Sequence, residues 1–90
     1  MRTVRIRFEV IAEIESSELF GDENANWRYC NEHEDFQHRE ACEFLLHVPE
    51  TDEEIDYRLN EMARLGCTDD FISAYREAAA AGAQRVLFYA

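Results

Sequence analysis

Two capped helical stretches followed by an apolar strand occupy the second half of this chain, and they constrain its fold more than any other feature. Thr51-Asp-Glu-Glu54 has the form of a capping box: the Thr51 hydroxyl can accept from the Glu54 amide while the Glu54 side chain reaches back. Three acids stand in the positive first turn. Ile55, Leu59, Met62 and Ala63 then recur at helical spacing, and Gly66 supplies the left-handed residue that ends a helix. Thr68 can cap a second helix, whose Phe71, Ile72, Tyr75, Ala78 and Ala79 form an apolar stripe before Gly82. Arg85-Val-Leu-Phe-Tyr-Ala90 follows as a buried strand. Two apolar stripes and an apolar strand have to be buried together, which points to helices packed on a sheet.

The first half supplies the other strands. From Thr3 to Ile14, Val4, Ile6, Phe8, Val10, Ala12 and Ile14 alternate with Arg5, Arg7, Glu9, Ile11 and Glu13. This period of two predicts a long strand with one dry and one wet face, and favours antiparallel pairing. Residues 15–26, ESSELFGDENAN, form a loop with room for one helical turn. Trp27, Tyr29 and Cys30 can open a second strand, and Cys42 to Val48 reads as a strand ended by Pro49. NEHEDFQHREACEFL between them equally fits a helix. The expected class is α+β: a three- to four-stranded mixed sheet with two helices on one face, in a single compact domain over residues 1–90. With 47% apolar and 12% aromatic residues and only three Gly and one Pro, the composition is that of a folding chain.

Net charge is −11, concentrated in the middle: residues 13–56 hold fifteen acids against Arg28 and Arg39. Such a surface repels phosphate, which disfavours direct binding to nucleic acid or anionic membrane and steers the protein toward basic surfaces. All nine basic residues are Arg. Charges throughout MRTVRIRFEVIAEIE leave no apolar core for a signal peptide and no run reaches a membrane span, so a cytoplasmic protein is expected. Three cysteines, an odd number, fit a reducing compartment.

CNEHEDFQHREAC, residues 30–42, is the densest group of reactive side chains. Cys30, His33, His38 and Cys42 resemble the ligand set of a zinc knuckle with one Cys replaced by His, so zinc is a candidate cofactor and a zinc-stabilised structural or adaptor module one functional reading. The five-residue step from His33 to His38 turns the pairs roughly 140° apart on a straight helix, so gathering all four needs a bend or loop. Catalysis is disfavoured. The surrounding carboxylates oppose a thiolate, no phosphate loop or nucleophile elbow occurs, and His47, in FLLHV, reads as an edge or core residue of a strand.

An acidic binding surface is the leading functional reading. Its candidate residues are Glu13, Glu15, Glu18, Asp22 and Glu23, then Glu32, Glu34, Asp35 and Glu53, with Trp27 and Tyr29 as aromatic anchors for an Arg-rich partner. Two resemblances bear on it. DFISAYREAAAAGAQRVLFYA resembles the C-terminal helix–strand unit of barstar-type ribonuclease inhibitors, and Phe20-Gly-Asp-Glu-Asn24 with Trp27 and Cys30 is similar to the acidic, aromatic segment they present. That resemblance implies a nuclease partner and a contact at Glu77; the long first strand departs from the family. At the level of class, a small, strongly acidic chain without catalytic motifs resembles the phage and mobile-element inhibitors of host defence, anti-CRISPR proteins among them. This implies a non-enzymatic protein that occupies the nucleic-acid surface of a basic protein or nucleoprotein. A homodimer through the terminal strand is a further expectation.

Overall fold

The computed structural model describes residues 10–20, 24–33 and 43–89. Its elements run β1 (Ile11–Glu15), α1 (Ala25–His33), β2 (Phe44–His47), α2 (Asp52–Arg64), α3 (Asp69–Ala80) and β3 (Arg85–Tyr89). The three strands form a mixed sheet of order β1-β3-β2, with β3 in the middle, parallel to β1 and antiparallel to β2. The α+β class is therefore as the sequence implies, with three helices among the described residues rather than two.

The capped pair forms through its hydroxyl caps; among the described residues there is no return bond from the Glu54 side chain of the kind a full capping box would have. Thr51 Oγ1 accepts from Glu54 N–H at 3.3 Å, and Thr68 Oγ1 accepts from Phe71 N–H at 3.3 Å. Both helices end in the same way. Gly66 and Gly82 each take φ +88°, where a side chain is strained. Around them, Gly66 N–H donates to Ala63 O and Cys67 N–H to Met62 O, and Gly82 N–H donates to Ala79 O and Ala83 N–H to Ala78 O. These are paired Schellman closures, with buried Cys67 and Ala83 folded back on buried Met62 and Ala78. One expected face residue departs: Ala63 is exposed, because the buried arc of α2 runs through Leu59 and Met62.

β1 corrects the expected pairing direction. Ala12 and Ile14 pack on the core while Ile11, Glu13 and Glu15 are exposed, as the alternation requires, yet the strand runs parallel to β3. Period two reports that one face is dry and carries no information on direction. Residues 3–9 of the alternating stretch lie outside the described residues.

Residues 27–30 also depart: they belong to α1 rather than to a strand. Asn24 starts this helix, accepting from Trp27 N–H through Oδ1 at 2.9 Å and from Arg28 N–H through its carbonyl at 3.0 Å. Asn26, Tyr29 and Cys30 are its buried residues, a spacing of three and four that a strand cannot bury on one face.

A single core lies between the helices and one face of the sheet. Phe71 and Phe88 stack at 4.9 Å, and Phe20 meets Phe44, Phe71 and Phe88 at 5.4–6.2 Å between ring centroids. Asn26, only 1% exposed, joins three segments across it. Its Nδ2 donates to Leu19 O and to Thr68 Oγ1, and its Oδ1 accepts from Thr68 N–H, all at 2.9 Å. The residue thereby fixes α1 and the 16–20 turn against the start of α3. This leaves the outer side of α2 open to solvent.

Candidate binding surface

The first turns of α2 and the residue pair before it concentrate acid. Glu50, Asp52, Glu53, Glu54 and Asp56 are all exposed. From Asp52 to Asp56 the helix rises only about 6 Å, so four carboxylates stand at about one per 2 Å of axis. Duplex DNA carries one phosphate charge per ~1.7 Å. At the end of this run stands Tyr57, 66% exposed, the most exposed aromatic among the described residues.

Tyr57 lies between two clefts. One, of about 290 Å³, is lined by His33, Pro49, Glu54, Tyr57, Arg58 and Glu61, where α1 meets α2. The other, about 120 Å³, is bordered by Tyr57, Asn60, Glu61 and Arg64. The cleft wall at α1 is held by contacts of His33. The His33 ring stacks on Tyr29 with centroids 4.2 Å apart, its Nδ1 lies 2.9 Å from Tyr29 O, and its Nε2 lies 3.2 Å from Glu61 Oε1.

The structure redistributes the sequence candidates. Glu13 and Glu15 are exposed on β1, on the sheet face away from the core, and Glu18 is exposed in the turn that follows. Glu15 accepts from Ser17, side chain and backbone, which holds its carboxyl below the usual carboxylate range. Glu32 is exposed on α1 and Glu53 on α2, while Asp22, Glu23, Glu34 and Asp35 lie outside the described residues. The described acidic candidates thus divide among β1 and its following turn, α1 and α2, with Glu53 alone on α2.

Neither expected aromatic anchor stands free. Tyr29 is 3% exposed and belongs to the core; burial pushes its phenol up, partly offset by a hydrogen bond with the Arg58 side chain. Trp27 is half-buried and meets Phe44 edge-on at 6.5 Å. Sequence reasoning missed Tyr57, although the signal was there: on a helix that packs Ile55, Leu59 and Met62 against the core, position 57 points roughly 200° from Ile55.

Of the four proposed zinc ligands, Cys30 is fully buried, His33 has both ring nitrogens beside oxygen partners, and His38 and Cys42 lie outside the described residues. No group of three His, Cys, Asp or Glu among the described residues is placed to hold a metal ion. Burial also raises the Cys67 thiol, whose Sγ lies 3.8 Å from Ala25 O, which makes it a poor nucleophile. His47 is exposed at the end of β2, and its carbonyl accepts from Tyr75 Oη–H at 2.8 Å. Glu77, singled out by the inhibitor resemblance, is exposed on α3.

No helix among the described residues is long and apolar enough to cross a membrane. In comparisons with protein-family models, curated proteins and solved structures, nothing matched this chain.

Proposed function

We propose that the acidic start of α2, with Tyr57 beside it, binds the nucleic-acid surface of a basic protein, and that this cytoplasmic protein is a non-enzymatic inhibitor of the anti-defence kind. The observation that supports this most directly is the density of exposed carboxylate over Asp52–Asp56 next to a large exposed aromatic ring. Carboxylates clustered this densely attract arginine and lysine side chains arranged for phosphates, steer association and set its orientation. Tyr57 adds a face on which a guanidinium stacks, worth about 0.5–1 kcal/mol at an exposed site. A partner held in this way cannot hold its own nucleic acid.

The test uses a labelled deca-arginine peptide as the basic surface, followed by fluorescence anisotropy. Binding should weaken steeply between about 50 and 200 mM salt, and a single-stranded oligonucleotide should compete with the protein for the peptide. The E53Q/D56N double variant should lose affinity. Salt-insensitive binding, or no competition, would sink the charge-mimic reading.

A further inference from the structure

A third cleft, of about 280 Å³, opens on the other side of Pro49, where the start of α2 meets the end of α3. Its walls are apolar, from Val48, Ile55, Ala79 and Ala83, and Glu50 and Asp52 stand among its lining residues. Both carboxylates belong to exposed residues. Its volume lies at the lower edge of the ~300–1,000 Å³ of small-molecule sites, which is room enough for one inserted side chain.

The electrostatics specify the sign of that side chain. α3 ends at this cleft through Ala79 and Gly82, and its last turn contains no basic residue, so no side-chain cation of that turn offsets the partial negative charge that the helix terminus keeps beyond its backbone caps. α2, by contrast, has Arg64 in its last turn. The cleft thus joins an apolar wall, with Gln84 at its side, to three sources of negative potential: Glu50, Asp52 and the α3 terminus. Lysine and arginine have this composition in reverse, an alkyl stem carrying a cation at its tip.

We infer that this cleft takes a basic side chain, lysine or arginine, from the protein bound at the acidic start of α2. The inference rests on that functional reading and deepens it, because Asp52 belongs both to the acidic run and to the cleft. The stem lies along Ile55, Val48, Ala79 and Ala83, and the cation sits between Glu50 and Asp52. Contact with the α2 surface alone gives charge attraction; insertion here gives the partner a fixed register.

The experiment is NMR titration of the full chain with N-acetyl-arginine amide, with N-acetyl-norleucine amide as the uncharged probe of similar stem. The arginine probe should shift resonances of Ile55, Ala79 and Ala83, and E50Q/D52N should weaken its binding by about threefold or more. A79L, which fills the cleft, should abolish those shifts and reduce deca-arginine affinity. Equal shifts from norleucine, or arginine-induced shifts confined to Tyr57 and its neighbours, would overturn the inference. Should A79L unfold, the E50Q/D52N variant, altered only at exposed side chains, decides alone. Deca-arginine binding that is lost in E53Q/D56N but unchanged in both A79L and E50Q/D52N would overturn the cleft while leaving the functional reading intact. Absence of any deca-arginine binding by the wild-type chain would overturn that reading itself.

Discussion

Replacing Asn26 by Ala removes a side chain that joins α1, the 16–20 turn and the start of α3. Three hydrogen bonds of 2.9 Å disappear with it. The losses are unequal. Leu19 O keeps a second donor, Asn24 Nδ2, at 2.9 Å, and Thr68 Oγ1 keeps Phe71 N–H. Thr68 N–H loses its partner. An orphaned donor costs about 1–3 kcal/mol and each remaining bond about 0.5–1.5 kcal/mol, so the variant should lose about 3 kcal/mol. For a 90-residue chain, total stability is about 5–13 kcal/mol, and the loss lowers Tm by about 12–24 °C. Urea unfolding monitored by far-UV circular dichroism measures it, with the m-value unchanged. Asn26→Asp sharpens the test. It keeps an acceptor for Thr68 N–H but sets an oxygen against Leu19 O, and burial raises the folded-state pKa of the new carboxyl above its unfolded value. Its deficit relative to wild type should therefore shrink as pH falls and grow as pH rises through the folded pKa. A loss below about 1 kcal/mol in Asn26→Ala would refute the view that this side chain holds the three segments together.

The remaining predictions concern separate sites. Tyr57→Ala should change stability by no more than about 0.5 kcal/mol, because the ring is exposed, while weakening deca-arginine binding; an equal loss of both would make Tyr57 a packing residue. Gly66→Ala and Gly82→Ala should each cost about 1–2 kcal/mol in chemical unfolding, since a Cβ meets nothing closer than 3.8 Å at either position and the cost comes from φ +88° alone. The Cys67 thiol and Tyr29 phenol both have folded-state pKa values raised by burial, so their contribution is complete below the unfolded values and is lost as pH rises. Stability should begin to fall above about pH 8.5, first through Cys67, and Cys67→Ala should flatten the early part of that fall.

Legibility in the sequence followed how local each signal was. Thr51, Gly66, Thr68 and Gly82 act through bonds within a few residues, and the structure places all four as their chemistry dictates. β1 shows the limit of a one-dimensional pattern: its dry and wet faces were legible, while its parallel pairing depends on where β3 enters the sheet. Residues 27–30 fail for a different reason. Trp-Arg-Tyr is too short to separate a period of 2 from one of 3.6, and the deciding residues, Asn24 as cap and Asn26 as a buried member, are polar and read as loop.

The acidic residues singled out in the sequence fall on separate elements, and the α2 acids show what local stability leaves unexplained. Asp52, Glu53 and Glu54 in the first turn are favourable to the helix, each by about 0.3–1 kcal/mol. Asp56 is not: it stands four residues from Asp52, where like charges cost about 0.2–0.5 kcal/mol, and Glu50 adds charge outside the helix. The helix thus accounts for three of these five acids, and the other two are a source of repulsion that a basic partner would relieve. This gives salt two opposite effects. Raising ionic strength should stabilise the isolated protein by screening that repulsion, and in the same range weaken its complex with a basic peptide by screening the attraction. Thermal unfolding measured alone and with deca-arginine separates the two: the melting temperatures should converge as salt rises, from above for the complex and from below for the isolated chain. Parallel curves would mean that the acids repel one another without being directed at a partner.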